Sequence, residues 1–282
     1  MTTGAILFAQ NNSTVDYIKL AVFAASRVID HLNIPVSIIT DNQQWLIDHY
    51  PNHPFDQIIE IALDTSPQQK YFHDGTLASH KLDWKNKSRS SVYDLTPYDR
   101  TLVIDSDYII SSAILKTALI NEHDFQIYSR SFDLASWRTT LEFSRINQYS
   151  IPFYWATVFI FNKNSITQCF FDLIAYIRHN WLYFRNLYSI ESYVFRNDFA
   201  FSIAIHIMNG KTNGEFAVEL PGTMGYSIDK DILVDIVNDK IHILLEKQNH
   251  PGEYILSKTQ GIDLHVMNKL SLSRFIDGGR GV

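Results

Sequence analysis

The sequence predicts an α/β fold: a mostly parallel central sheet flanked by helices, with a C-terminal elaboration. Three observations predict it. Short apolar, β-branched runs alternate with helix-periodic segments through the N-terminal part. The order strand, helix, strand, helix, strand implies right-handed crossovers and a parallel sheet. A compact buried run at residues 101–104 then ends in two acids, at the end of a strand where open parallel sheets bind ligands.

Residues 4–9 form the first strand, with a polar exit at Gln10, Asn11 and Asn12. A helix follows, with Val15, Ile18, Val22, Ala25, Ile29 and Leu32 at spacings of three and four and Ser13 or Thr14 as its cap. Residues 35–40 read as the second strand, 42–50 as a short helix and 57–62 as the third strand. Residues 64–78 are polar, contain Pro67 and Gly75, and read as a loop; 79–93 read as a helix. Strands follow at 125–128 and 155–162, and helices at 164–186 and 198–208; residues 133–149 show no clear period. Short strands are expected near 241–245, 254–256 and 262–265, and the glycine-rich end, 274–282, as a mobile tail. No internal repeat or linker divides the 282 residues, so one domain is expected.

Composition narrows the function classes. Hydrophobic residues make up 46% and charged residues 19%, as in an ordinary folded domain. A net charge of −6 disfavours binding to a nucleic-acid backbone. The single cysteine, Cys169, excludes an internal disulfide framework and a cysteine zinc site, and points to a reducing compartment. Beside Phe170 and Phe171 it reads as a small buried hydrophobe. With no basic, signal-like N-terminus and no apolar run near the ~20 residues that span a bilayer, a cytoplasmic location is expected.

The sharpest feature is Leu102-Val103-Ile104-Asp105-Ser106-Asp107. Two carboxylates one residue apart on a strand share a face and repel unless a cation sits between them. A divalent cation held there can bridge a diphosphate and neutralise charge on a nucleoside-diphosphate leaving group. The competing reading is a turn, where Asp is common.

The segment from Pro97 through Tyr98, Asp99 and Arg100 to Asp107 resembles the approach to the Asp-x-Asp motif of GT-A glycosyltransferases. The resemblance extends in element order over most of residues 4–210. It implies a Rossmann-like GT-A fold in which residues 1–110 bind a nucleotide sugar, 111–270 form the acceptor side and complete the metal site, and 271–282 are a tail. It implies a nucleotide-sugar-dependent hexosyl- or pentosyltransferase using Mn²⁺ or Mg²⁺, with a UDP-sugar donor and a glycan favoured over a nucleic acid as acceptor. Asp105, Asp107 and a C-terminal His265 are then the metal ligands, and a mixed carboxylate and imidazole set suits manganese. Lys269 grips the diphosphate, Ser106 lies beside it, and Lys85 or Arg89, from an expected helical stripe with Lys81, reaches the donor. Ala9 and Asn11 touch the nucleotide, Asp41 its base or ribose, and Trp155, Ala156 and Thr157 line the sugar pocket. Asp198 is the expected catalytic base, with Glu191 behind it. The alternative role of Asn197 or Asp198 is a helix cap, and that of His265 is structural.

Two other classes stay open. A haloacid-dehalogenase-type phosphatase uses a related acidic motif, but Ile109 occupies its last position here. A non-catalytic carbohydrate- or nucleotide-binding protein would need no such acids. A nucleotidyltransferase is disfavoured, because Ala9-Gln10-Asn11-Asn12 lacks the glycines of a phosphate loop.

Overall fold

The structure is a computed structural model describing residues 1–64, 68–85, 87–136, 138, 143–147 and 150–280. The chain opens with β1 (Thr3–Ala9), α1 (Tyr17–Leu32), β2 (Val36–Thr40), α2 (Gln43–His49) and β3 (Ile58–Glu60). Next come β4 (Gln68–Asp74), β5 (Ala78–Trp84), a 3-10 turn over Lys87–Ser91, and α3 (Val92–Leu95). The middle holds β6 (Arg100–Asp105), β7 (Tyr108–Ile109), α4 (Leu115–Leu119), β8 (Phe125–Tyr128), β9 (Ser131–Asp133) and β10 (Trp155–Asn162). Three helices follow, α5 (Ser165–His179), α6 (Trp181–Leu187) and α7 (Asn197–Met208). The remainder is β11 (Val218–Glu219), β12 (Met224–Ser227), β13 (Ile232–Val237), β14 (Lys240–Glu246), β15 (Tyr254–Gln260), β16 (Leu264–Val266) and α8 (Lys269–Phe275).

The central sheet has seven strands in the order β11-β8-β10-β6-β1-β2-β3. β1 pairs in parallel with β2 and β6, and β2 with β3, as the alternation predicts. Only β10 runs against its neighbours, β6 and β8. The central strands are apolar because both faces are covered: every residue of β2 and of β10 is buried. α1 packs on β1 and β2, and α7 packs on β10 and α5. α1 begins at Asp16, whose carboxylate accepts the Lys19 N–H at 3.0 Å and also the Tyr50 hydroxyl at 2.9 Å, rather than at Ser13 or Thr14.

Three smaller sheets lie beyond this frame. β7-β16-β12-β9 forms a second sheet, β13-β14-β15 a third, and β4-β5 a two-stranded hairpin. The hairpin takes the place of most of the loop expected over 64–78 and of the first part of the helix expected over 79–93, of which only the 3-10 turn and the start of α3 are helical. Phe72 and Leu82 are the buried residues of the two hairpin strands, while Lys70, Tyr71, Lys81 and Asp83 are exposed. The i, i+4, i+8 spacing of Lys81, Lys85 and Arg89 therefore marks no helix stripe.

The helix expected over 164–186 is two helices, broken at Asn180, where φ is −105° and ψ 33°. Cys169 is exposed, because the apolar face of α5 consists of Phe170, Phe171, Ile174 and Ile177. Residues 269–275 are helical and Ile276–Arg280 continue as a wider turn, where a tail was expected; Gly281 and Val282 lie outside the described residues. No described helix is long and apolar enough to cross a membrane.

One buried ionic cluster ties the smaller sheets together. Arg138 donates to Asp133 at 2.6 and 2.7 Å and to Asp231 at 2.7 and 2.9 Å, and the two acids are 4% and 0% exposed. Asp231 also accepts the Glu246 and Ile228 N–H groups, joining β14 to the turn before β13. Removing one partner of such a cluster leaves charge buried without compensation. Arg138→Ala is therefore expected to lower the unfolding free energy by about 3–5 kcal/mol. Urea denaturation checks this, and a loss below about 1 kcal/mol would show that the two acids find other partners.

Candidate functional site

The two acids sit where β6 leaves the centre of the sheet. Asp105 is the last residue of β6, paired beside Phe8 of β1. Ser106 and Asp107 turn the chain into β7, which pairs with β16 in the register Leu264 to Ile109 and His265 to Tyr108. The Val266 N–H also donates to the Asp107 carbonyl at 2.9 Å. This two-residue ladder brings His265 to the acidic turn across more than half the sequence. Its Nε2 lies 3.4 Å from Asp107 Oδ2. Among the described residues, Asp105, Asp107 and His265 form a group whose possible ligand atoms all lie within 4.8 Å of one another.

Lys269 completes the cluster. Asn268 is fully buried and caps α8 by accepting the Ser271 N–H at 2.9 Å. That places Lys269 on the first turn, with Nζ 2.6 Å from Asp107 Oδ2. Burial by itself raises the Asp107 carboxyl, but Lys269 and then His265 hold it far below the ordinary carboxylate range. Burial likewise opposes the Lys269 charge, and Asp107 restores it, so its ammonium is held above the usual value.

The donor set fits a divalent cation. Two carboxylates and one imidazole match the oxygen and nitrogen preferences of Mn²⁺, and of Mg²⁺ with water in the other positions. The Nδ1 atom of His265 is buried without a hydrogen-bond partner, so the Asp107 carboxylate at Nε2 is the acceptor that bears on the tautomer of the ring. Among the described residues, Asp105 pairs with Arg89, and Asp107 with Lys269 and the His265 ring.

These residues open onto a cavity of about 620 Å³, within the size range of small-molecule sites. Its floor is Asp105, Ser106 and Asp107; Ala156 and Thr157 from β10 and the buried Trp155 line one side. Phe72 and His73 from β4, with Trp84 from β5, form a roof. The roof is held at both ends. Gln68 exchanges hydrogen bonds with the Phe195 backbone at 2.6 and 3.1 Å. At the tip, Thr76 bonds Glu246 and Tyr254, and the His73 N–H donates to Asp229 at 2.9 Å.

Other expected residues divide into two groups. Arg89 reaches the cavity from the 3-10 turn, its guanidinium 5.3 Å from the Phe8 ring centre; burial pushes it down to about 10. Lys85 lines the cavity too, with its ammonium 2.8 Å from Asp41. Asp198 is the second residue of α7, not its cap. Its two oxygens accept from the Ala156 N–H at 3.0 Å and from Arg196 at 2.8 and 3.1 Å.

The second group does not line the cavity. Ala9 is fully buried. Asn11 accepts the Ile18 N–H at 3.0 Å, steadying the start of α1. The Asp41 carboxylate is 1% exposed, behind Lys85 and Gln10. Glu191 is exposed on the segment after α6. Sequence reasoning missed Gln10, Tyr17, Lys70 and Phe72. Gln68 to Asp74 carries no regular alternation of apolar and polar residues, so no local signal marked the last two.

The Lys269–Asp107 pair has a pH signature. A carboxyl depressed in the folded state stabilises the fold above its unfolded value, near 3.8, and that contribution is lost as pH falls toward the folded value. Lys269→Ala is expected to destabilise the protein by about 3 kcal/mol at neutral pH. The deficit against wild type should narrow below pH ~4 as both states take up the proton. Denaturant midpoints measured from pH 7 to pH 3 test this, and a deficit that widens with acid would contradict it.

No protein-family model and no curated protein matches the sequence. Among solved structures, the chain is similar to the glycosyltransferase GlyE of Streptococcus pneumoniae TIGR4, with a TM-score of 0.43 and 12% identity over 78% of this chain and 46% of that one. The apo form of GlyE gives 0.40 and 14%, covering 78% and 45%. The galactosyltransferase LgtC, in complex with donor and acceptor sugar analogues, gives 0.44 and 11%, covering 77% and 72%. The chain thus spans about half the length of the GlyE chain.

Proposed function

We propose that the protein is a metal-dependent glycosyltransferase of the GT-A type, moving a sugar from a nucleoside-diphosphate donor to an acceptor hydroxyl. One observation carries this reading. Asp105, Asp107 and His265 converge at the carboxyl end of the central strands, beside a fixed lysine and under a roofed cavity. That arrangement suits a diphosphate leaving group, which needs both a bridging cation and a fixed positive charge.

Asp105, Asp107 and His265 are the residues that would hold Mn²⁺ or Mg²⁺. A divalent cation supplies Lewis-acid stabilisation to the departing diphosphate. Lys269, already charged and immobile on its capped helix, faces the same phosphates. Arg89 exchanges Asp105 for the donor, and Ser106 lies on the cavity floor between the two acids.

Asp198 serves the sugar side. With both oxygens already accepting hydrogen bonds, its remaining lone pairs are better suited to orienting a sugar or acceptor hydroxyl than to full proton removal. Aromatic walls such as Phe72, Trp84 and Trp155 exclude water from the reacting centre. A UDP-sugar is the donor of choice, and a glycan the acceptor.

The test is hydrolysis and binding of a nucleotide-sugar panel with Mn²⁺, Mg²⁺ or EDTA, on wild type and Asp107→Ala. The expected outcome is slow, metal-dependent release of nucleoside diphosphate from one donor, reduced about 100-fold or more in the variant. Hydrolysis of a phosphomonoester, with no donor bound, would replace this reading with the phosphatase one.

A further inference from the structure

Six lysine and arginine side chains line the cavity. Five have a carboxylate partner: Lys85 with Asp41 at 2.8 Å, Arg196 with Asp198 at 2.8 Å, Lys230 with Glu246 at 3.8 Å, Lys269 with Asp107 at 2.6 Å, and Arg89 with Asp105. Lys70, on the roof strand β4, is the sixth. Among the described residues its side chain makes no ion pair and no hydrogen bond. Its ammonium lies 4.9 Å from the ring centre of Trp84 and 5.2 Å from that of Phe72. Aromatic faces attract a cation but leave its charge uncompensated.

The nearby acids are already engaged. Asp198 holds Arg196 and the Ala156 N–H, and Asp229 accepts the His73 N–H. Two further cations, Arg196 and Lys269, act on Lys70 from the other walls. The roof cannot carry Lys70 away cheaply, because its base is held by Phe195, its tip by Tyr254 and Glu246, and Asp74 by Arg274 at 2.6 and 2.8 Å. The Lys269 ammonium lies 5.1 Å from the same Phe72 ring centre. A substrate that engages Lys269 through one anionic group therefore reaches Lys70 with another within about one sugar's length.

We propose that Lys70 is a specificity-determining residue, which receives a carboxylate or phosphate substituent of the substrate separate from the donor diphosphate. The role rests on the transferase reading only in naming that diphosphate. The substituent has two possible sources, the transferred sugar or the acceptor, and the chemistry at Lys70 is the same for both. Although the residue as a whole is exposed, desolvation at its ammonium, then Arg196 and Lys269, push it down to about 8, while Asp229 and Asp198 act the other way. The preference for an anion should accordingly fade as pH rises through that value and Lys70 loses its proton.

Calorimetric titration of wild type, Lys70→Gln and Lys70→Arg separates the outcomes. One arm compares UDP-glucuronic acid with UDP-glucose in Mn²⁺. The other adds glucuronate, glucose or inorganic phosphate to protein saturated with UDP and Mn²⁺. In one arm, wild type should favour the anionic ligand by about ten-fold, Lys70→Gln should lose that preference, and Lys70→Arg should keep most of it. No preference in either arm, or an equal one in Lys70→Gln, overturns the proposal. UDP binding in the same titrations reports on the transferase reading separately. If UDP does not bind, that reading falls, and phosphate alone then decides for Lys70: binding lost in Lys70→Gln upholds the role, and no binding overturns it.

Discussion

The site depends on burying one carboxylate. Asp107 is 3% exposed, and a charged group so placed persists only when other groups compensate it. Those groups come from the far end of the chain, His265 on β16 and Lys269 at the start of α8. The short ladder between β7 and β16 sets their register, and the Val266 N–H closes it on the Asp107 carbonyl. The acidic turn and the C-terminal segment are therefore one unit of stability.

The same unit reaches the roof. Asn268 caps α8, donates to the Asp231 carbonyl at 2.8 Å and to Asp74 at 3.3 Å. Asp74 closes β4, the strand that carries Lys70 and Phe72. Arg274, near the end of α8, holds the same carboxylate. The helix that sets Lys269 against Asp107 thus also holds the hairpin over the cavity. The β13-β14-β15 sheet supports the arrangement from the other side, through Glu246 and Tyr254 at the hairpin tip. What reads in sequence as a C-terminal elaboration is what encloses the site.

This explains which parts were legible. β1, β2, β6 and β10 are buried on both faces, so their apolar runs stand out, and Asp105 and Asp107 are visible because they interrupt one. His265 was reached through a family resemblance, since no local pattern links it to Asp107; only the β7–β16 pairing does. The hairpin was misread because Lys81, Lys85 and Arg89 fall at a helical spacing by coincidence, while its two strands bury only Phe72 and Leu82 and show no clean alternation. Cys169 was misplaced because adjacency to Phe170 and Phe171 says nothing about which side of α5 it takes. Such errors arise wherever position depends on a partner distant in sequence.

The cavity also shows why total charge is a poor guide to the ligand. The protein carries −6 overall, which suggests indifference to anions. Yet the wall presents six cations and five carboxylates, Asp105, Asp107, Asp198, Asp229 and Glu246. Screening confines the effect of exposed charges elsewhere to roughly 8–10 Å at physiological salt, so the local set decides what enters. Most of these cations already hold a carboxylate, so an arriving anion exchanges partners with acids such as Asp105 rather than meeting bare charge. The energy gained is then the difference between two ion pairs, far smaller than either alone. Selectivity under those terms comes from geometry and from whichever cation starts without a partner.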